Sequence, residues 1–291
     1  MYGAPMPGTE SLSLDALLPP QIAAKAADIG VAKASMSALR TFGLAVLAGA
    51  FIALGAMFAT TVAAGTEGEI PFGLVRLLAG IAFSLGLILV VVGGAELFTG
   101  NNLISMAWAE RRVPTRWVAR NWAIVYVGNL IGALATVAIV YAGKQYAFGD
   151  GAIGSTALAT AQTKSSLGFG QAVALGIMCN ALVCLAIWMT YSARSVTDKV
   201  LAIIFPITAF VAAGFEHSIA NMYFLPMGLA VKEGASDGFW QTIDKAPGDF
   251  PDVTVVNAVV DNILPVTIGN VIGGSIMVGL AYWLIYVRTT S

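Results

Sequence analysis

The segment between Lys199 and Lys232 most constrains this chain, because it is too long and too apolar for one membrane crossing. Residues 200–231 form a run of about 32 mostly apolar residues. A helix rises 1.5 Å per residue, so about 20 residues cross the ~30 Å hydrocarbon core. The surplus coincides with a glycine followed by an acid, an imidazole and a hydroxyl: Gly214, Glu216, His217 and Ser218. Unwound backbone is tolerated at this depth only beside protein or water, so we predict two half-helices that meet beside a polar conduit.

Composition places the rest of the chain in the bilayer as well. Hydrophobic residues make up 58% of the 291 positions and charged residues 11%, whereas a soluble domain carries about 25% charged residues. A net charge of −1 provides no basic field for nucleic acid. Cys179 and Cys184 lie in one apolar segment without a nearby histidine, which predicts neither a disulfide framework nor a metal site. We expect no cofactor.

The hydropathy pattern predicts an all-α membrane protein with six crossings, over residues 39–64, 71–109, 117–143, 169–191, 200–231 and 253–287. The second crossing is also overlong, and it contains Gly94 and Glu96 near its middle. We expect residues 1–38 to form an N-terminal segment, 39–288 the channel domain and 289–291 a short tail. Ile22, Ala26 and Ile29 fall at helical spacing, which predicts an amphipathic helix over residues 13–33, on the membrane surface or on the channel body. Residues 144–168 form a polar stretch before the fourth crossing, and residues 233–252 are expected to be a long acidic loop.

The distribution of basic residues predicts the orientation. With six crossings, ten Lys and Arg residues fall on the side that carries both termini and five on the other side. The positive-inside rule therefore places both termini in the cytoplasm.

Two motifs recur along the chain. Gly94 and Glu96 reappear 120 residues later as Gly214 and Glu216, and GNLIG at 128–132 reappears 141 residues later as GNVIG at 269–273. The halves 39–143 and 169–288 each hold three crossings, so they must point in opposite directions. Broken helices at matched positions of inverted halves predict a permeation site near the midplane.

Four motifs carry a resemblance to a known family: GGAELFTG at 93–100, GIMCNALVCLA at 176–186, GFEHSIANM at 214–222 and TIGNVIGG at 267–274. They resemble the formate/nitrite transporter family, and most of all its formate channels, over nearly the whole chain. The resemblance implies an aquaporin-like protomer with its own pore, a homo-pentamer, and a place in the bacterial cytoplasmic (inner) membrane. It leaves nitrite or hydrosulfide open as the substrate, because these channels share the motifs.

His217 is the only histidine, and a free imidazole titrates near pH 6.5. An ionisable group inside the membrane is a functional candidate by default, although a structural histidine at a helix break is the alternative. The resemblance makes His217 the pore residue that meets the anion and lends it a proton. Thr99 is expected either to donate to the substrate opposite His217 or to cap a short helix, and the resemblance favours the first role. Asn180 and Asn270 can donate to an anion without bringing charge, although Asn129 is the repeat partner of Asn270, so at least one of these two is expected to be a packing residue.

Apolar residues flank both breaks. From the residues alone they are core or lipid-facing positions, but the resemblance makes Phe83, Leu87 and Phe210 a periplasmic constriction and Leu97 and Phe98 a cytoplasmic one. Such constrictions exclude bare ions by the cost of desolvation.

Two carboxylates also lie at the breaks. A carboxylate would repel an anion, so we expect Glu96 and Glu216 to turn away from the path and to bind unwound backbone N–H groups. Gly94 and Gly214 would terminate the preceding helices.

These features predict a pH-sensitive channel for formate and related small anions rather than an enzyme. A membrane enzyme using His217 and Glu216 as an acid/base pair would lack an activated nucleophile, and a membrane scaffold would pass no flux. We also expect segment 93–102 to move and to contact the N-terminal helix when the pore is shut at low pH. Deleting residues 1–33 should then alter the pH dependence of flux.

Overall fold

The computed structural model describes residues 16–66 and 68–288, and the regular elements in these ranges are helices. In chain order they are α1 (Pro19–Ser35), α2 (Ala38–Ala63), α3 (Phe72–Gly93), α4 (Phe98–Asn101), α5 (Ile104–Ala109), α6 (Thr115–Ala142), α7 (Ala152–Ser165), α8 (Phe169–Ser192), α9 (Val196–Ala213), α10 (Ser218–Gly234), α11 (Asp237–Thr242) and α12 (Val255–Tyr286). Helix α12 contains wide π-helical turns at Ala258–Ile263 and Ile272–Leu280.

Six of these helices are long and apolar enough to cross a membrane, namely α2, α3, α6, α8, α9 and α12. This confirms the six predicted crossings, and the protein is a multi-pass membrane protein. Large apolar side chains are turned outward, and Ile139 and Phe205 are 74% and 75% exposed. Such an outer surface suits contact with lipid rather than water.

The second and fifth crossings are broken, as predicted. Helix α3 stops at Gly93, and the short helices α4 and α5 follow it. Helix α9 stops at Ala213, and α10 begins at Ser218 after four residues outside any helix. Helices α3 and α9 pack against each other, so both breaks lie in the middle of the bundle.

Glycines allow the crossings within each half to approach closely. Gly132 on α6 faces the carbonyl of Val46 on α2, and Gly273 on α12 faces the carbonyl of Ile177 on α8. A side chain at either glycine would meet that backbone. This small-residue packing is the usual way in which membrane helices pack closely.

Helix α1 lies on the channel body. Its buried face consists of residues at helical spacing: Ile22, Ala23, Ala26, Ala27, Gly30 and Ala34. Ile29 is only half-buried, so the face is rotated slightly from the predicted one. The face packs on α5 and on the C-terminal end of α12. We call this end of the bundle the termini face; residues 13–15 of the predicted helix lie outside the described residues.

Helix α7 is absent from the sequence prediction, which describes residues 144–168 only as a polar stretch. In the structure, Ile153, Ala157, Leu158 and Ala161 bury one side of a 14-residue helix. Helix α7 packs on α10. The predicted loop 233–252 likewise contains the short helix α11.

Candidate permeation site

Both breaks have the same backbone geometry. Gly94 and Gly214 end α3 and α9 in the left-handed conformation, with φ of 79° and 75°, which glycine adopts without a Cβ clash. Two residues further on, Glu96 N–H donates to the carbonyl of Leu44 on α2 at 3.2 Å. Glu216 N–H donates to the carbonyl of Leu175 on α8 at 3.3 Å. Each unwound segment is therefore fastened to a neighbouring crossing.

Two asparagines hold the breaks from the other side. Asn129 accepts from Phe98 N–H at 2.9 Å and donates to the carbonyls of Ala45 and Glu96 at 2.8 and 2.9 Å. This one side chain satisfies two backbone groups of the break, Phe98 N–H and the Glu96 carbonyl, and ties them to the Ala45 carbonyl of α2.

Asn270 repeats this arrangement in the second half. It accepts from Ser218 N–H at 2.9 Å and donates to the carbonyls of Gly176 and Glu216 at 2.8 and 2.9 Å. The sequence predicts Asn270 as a donor to the anion, but both of its amide hydrogens are used by the backbone. Its place in the structure is that of the repeat partner of Asn129.

The side chains of both glutamates take part in polar clusters, and Glu216 also lines the cavity that contains His217, contrary to the prediction that both turn away from the path. Glu96 pairs with Lys33 Nζ of α1 at 2.6 Å, and its second oxygen accepts from Asn101 at 2.7 Å. Asn101 also donates to Asn121 at 2.9 Å, and Asn121 donates to the carbonyl of Lys33 at 3.2 Å. The ring of contacts is closed and almost fully buried.

The second half contains the same cluster. Glu216 pairs with Lys164 Nζ of α7 at 2.7 Å and accepts from Asn221 at 2.7 Å. Asn221 donates to Asn262 at 2.6 Å, and Asn262 donates to the carbonyl of Lys164 at 3.0 Å. Contrary to the prediction, the carboxylates bind lysines and amides, while Asn129 and Asn270 satisfy the unwound backbone.

These contacts extend the repeat beyond the three crossings of each half. Lys33 and Leu44 correspond to Lys164 and Leu175 at one offset of 131 residues. Helix α1 is therefore the counterpart of α7, and each half consists of six helices rather than three crossings alone.

Thr99 and His217 meet across the two breaks. Thr99 Oγ1 lies 3.0 Å from His217 Nε2, and both residues are buried. His217 Nδ1 accepts from Ala220 N–H at 3.0 Å, which caps α10. Because Nδ1 is an acceptor, the neutral imidazole carries its hydrogen on Nε2 and donates it to Thr99. The Thr99 hydroxyl hydrogen then stays available to a third group.

Asn180 lies beside this pair and is completely buried. Its amide nitrogen is 3.3 Å from the Thr99 carbonyl, 2.8 Å from Asn102 Oδ1 and 2.6 Å from the Asn270 carbonyl. The contacts tie the first break to α12. The two amide hydrogens of Asn180 are thus directed at three protein acceptors.

The predicted constriction residues form two buried aromatic groups. Phe83 and Phe210 meet edge to face with ring centroids 5.5 Å apart, Leu87 is buried on the same helix as Phe83, and Phe210 stacks on His217 at 5.9 Å. The sequence prediction does not include Phe224, which stacks on Phe83 at 6.4 Å. An aromatic two helical turns past His217 on α10 is the signal that could have identified it.

The second group surrounds Phe98, which packs against Tyr126 and Trp122 at 4.9 and 6.1 Å, while Leu97 beside it is buried. Apolar rings on either side of a histidine exclude water and bare ions.

A cavity of about 470 Å³ leads to His217. Its lining includes four rings, two cations and one carboxylate: Phe83, Phe210, His217, Phe224, Arg76, Lys164 and Glu216. Lys164 Nζ lies 5.3 Å from the Phe224 ring and 2.7 Å from the Glu216 carboxylate that neutralises it. Two cations and one carboxylate leave a net positive charge at this apolar passage, which attracts anions and raises their local concentration.

The two halves differ where they meet. At the offset of 120 residues, Leu97, Phe98 and Thr99 correspond to His217, Ser218 and Ile219. The supporting side chains are duplicated, whereas these three positions carry different chemistry. A single imidazole and a single hydroxyl therefore face each other from non-equivalent positions.

Lys33 and Lys164 are the functional side chains that sequence reasoning missed. Asn101 and Asn221 follow the known offset of 120, and Asn121 and Asn262 follow the offset of 141. Searching those offsets for further polar matches would have found the amides. The lysines lie on helices without a recognised motif.

Comparison with known proteins identifies the family. The formate/nitrite transporter profile matches residues 20–284. The formate channel FocA of Escherichia coli K12 is 48% identical over 274 residues, covering 94% of this chain and 96% of the relative. The formate channel FocA of Haemophilus influenzae is 41% identical over 271 residues, covering 93% and 95%.

Solved structures agree. A pentameric formate channel with formate bound has a TM-score of 0.79 and 45% identity, over 86% of this chain and 97% of that one. An ion channel of the same family has a TM-score of 0.76 and 27% identity, over 91% and 98%.

Proposed function

Because this chain belongs to the formate/nitrite transporter family, we propose that it is a channel through which formate and related small monovalent anions cross the membrane. The Thr99–His217 contact, at 3.0 Å between the two broken crossings, carries the proposal. The contact offers two hydrogen-bond donors to an anion, and its His217 side lines the cavity together with Arg76, Lys164 and aromatic rings, which supports the proposal.

The anion would enter past Lys164 and replace part of the Thr99–His217 contact. One carboxylate oxygen would accept from His217 Nε2–H and from the Thr99 hydroxyl. Both donors are neutral, so they would hold an anion without a charge that traps it. This balance suits conduction, which needs binding weak enough for release.

Proton transfer from His217 is a further step of the proposal. The neutral imidazole has one hydrogen, and its Nδ1 is occupied by Ala220 N–H. A second proton would have to displace that N–H and uncap α10. We therefore propose that proton transfer to formate, where it occurs, is coupled to a local opening at residues 217–220.

Formate flux into proteoliposomes, measured against pH for the wild type and for His217→Asn, tests the proposal. We expect lower flux and a flatter pH profile in the variant, because asparagine can donate a hydrogen bond but cannot titrate. Cys179→Ala, which removes a buried thiol, serves as the matched control. Equal flux and equal pH profiles for His217→Asn and wild type would contradict the assigned role.

Competition between formate and nitrite in the same vesicles tests the substrate. A preference for nitrite would overturn formate as the main substrate and leave the family assignment intact.

We also propose that the protein assembles as a homo-pentamer in the cytoplasmic membrane, with the termini face in the cytoplasm. The pentameric formate channel among its relatives supports the first part, and the excess of Lys and Arg supports the second.

A further inference from the structure

Arg76 is one of the two cations of the cavity, and the contacts of its guanidinium group go beyond the positive charge that it contributes to the lining. It lies near the start of α3, on the face opposite the termini face, and lines the cavity that reaches His217. Its guanidinium group is 6.0 Å from the Phe72 ring. At the offset of 120 residues the second half has Val196, so the repeat does not require an arginine there.

The guanidinium group binds the end of α9. Nη2 donates to the carbonyl of Val211, and Nε lies 3.4 Å from the carbonyl of Ala212. The last carbonyls of a helix lack intrahelical partners and carry partial negative charge. Arg76 therefore fastens the last turn of α9 to α3, just before the left-handed Gly214.

The fastened carbonyls belong to the residues that directly follow Phe210. Phe210 meets Phe83 of α3 at 5.5 Å and stacks on His217 at 5.9 Å. Phe83 and Arg76 are on the same helix, so Arg76 and the ring of Phe83 hold the same short piece of α9 from two points. A shift of that piece would change the gap between the two rings.

We infer that Arg76 is a positioning residue that sets the width of the outer aromatic constriction, the gap between the Phe83 and Phe210 rings. It acts through the Val211 and Ala212 carbonyls on Phe210. The inference rests on the proposed anion flux, and it concerns which anions pass rather than whether any anion passes.

A role of Arg76 as a simple charge makes a different prediction. A cation at the mouth raises the local concentration of all small anions, and lysine would supply the same charge. Positioning depends on a planar group that bridges two carbonyls, which lysine cannot reproduce.

The experiment measures acetate and formate flux separately in proteoliposomes for the wild type, Arg76→Met and Arg76→Lys. We expect both variants to raise the ratio of acetate to formate flux by up to about tenfold, the scale on which a pocket discriminates one methyl group. Lys245→Met is the matched control, because Lys245 lies on the same face of the bundle, contacts Phe250 and is absent from the cavity lining. We expect the control to leave the ratio unchanged.

A double-mutant cycle with Phe210→Ala tests the route of the effect. If Arg76 acts through Phe210, adding Arg76→Met to Phe210→Ala leaves the ratio as it is in Phe210→Ala alone. An unchanged ratio in Arg76→Met, with both fluxes lowered together and restored by Arg76→Lys, overturns the inference. Should Arg76→Met fail to assemble, an unchanged ratio in Arg76→Lys overturns it.

The two proposals fail in different ways. A wild-type protein that passes no formate contradicts the proposed function. A wild-type protein that passes formate, with Arg76 variants of unchanged selectivity, contradicts only the role of Arg76.

Discussion

Thr99 and His217 depend on each other, because each buries a polar atom that the other satisfies. The hydroxyl accepts the imidazole Nε2–H at 3.0 Å, and both residues are buried. A buried donor without a partner costs about 1–3 kcal/mol.

Thr99→Val should therefore lower formate flux, whereas Thr99→Ser should keep most of it. The valine retains the shape of threonine but leaves Nε2–H unpaired and removes one donor to the anion, a loss of roughly tenfold to a hundredfold in flux if the donor's 1–3 kcal/mol acts on passage. Stopped-flow light scattering of formate-loaded vesicles measures the formate flux of each variant. Equal flux in the valine and serine variants would contradict the hydroxyl's role.

Asn129 and Asn270 are expected to behave as a pair. Each binds two backbone groups at a break and one carbonyl of a neighbouring crossing. Hydrogen bonds in membrane proteins contribute about 0.6–2 kcal/mol each. Asn129→Ala and Asn270→Ala should lower the unfolding temperature in detergent by similar amounts and leave the formate-to-nitrite flux ratio unchanged. A changed ratio in Asn270→Ala alone would restore the pore role that the sequence suggests.

The sequence reveals which residues are important at this level more readily than what they touch. His217 and Thr99 can be placed opposite each other because both follow a glycine in a broken crossing. Asn270 cannot be assigned to the backbone from its own neighbourhood, because its partners Gly176 and Glu216 are 94 and 54 residues away in the chain. A buried amide suits an anion and an unwound helix equally well until those distances are known.

Helices α1 and α7 deliver one lysine each to the glutamate of a break. The Lys33 and Lys164 side chains keep 23% and 15% exposure, while their glutamates keep 6%. Removing a lysine would leave a buried carboxylate uncompensated, which is more costly than losing the pair as a whole.

Lys33→Met should accordingly destabilise the protein by roughly 1–3 kcal/mol, somewhat less than for a fully buried pair. The double variant Lys33→Met with Glu96→Gln should recover most of that loss, because the glutamine is neutral. Thermal unfolding in detergent measures both. A double variant no more stable than Lys33→Met would contradict the ion-pair explanation.

The exposed pair of Asp28 and Arg112 provides the control on α1. It spans 2.6 Å, with side-chain exposures of 67% and 39%, so it contributes about 0–1 kcal/mol. Asp28→Asn should leave the unfolding temperature nearly unchanged.

The predicted contact between α1 and segment 93–102 is found in the Lys33–Glu96 pair and in Lys33–Asn101 at 3.0 Å, while its dependence on pH stays a prediction.

The elements were predictable to different degrees. Apolar runs locate the crossings because every crossing must bury its backbone and expose lipid-compatible side chains. The sequence did not predict helix α7, because AIGSTALATAQTKS is too polar for a membrane crossing. Its four alanines favour a helix, and its apolar residues recur at helical spacing, so the signal was present but weak.

The bundle as a membrane protein has two faces that can be told apart experimentally. Both native cysteines are buried, which leaves a low background for thiol labelling. Lys245 and Arg116 are exposed on opposite faces of the bundle.

With the termini face in the cytoplasm, a membrane-impermeant maleimide added to intact cells should label Lys245→Cys and spare Arg116→Cys. Opening the cells should make both react, which controls for the reactivity of the two sites. The reverse pattern in intact cells would invert the assigned orientation.

The same contacts hold residues 97–99 in the first half and residues 217–219 in the second, although the two segments differ in sequence. This difference has a consequence for redesign. The asparagine contacts and the lysine–glutamate clusters beside the breaks exist twice, although Arg76 has no counterpart. The scaffold is therefore expected to tolerate new chemistry where the duplicated contacts stay intact. Exchanging residues 97–99 with 217–219 would move the imidazole to the opposite half and leave the duplicated contacts around it in place. The altered protein would present its imidazole and its hydroxyl to the two aqueous compartments in reversed order. Comparing its flux with that of the parent would separate the contribution of the contacts that hold the break from that of the imidazole.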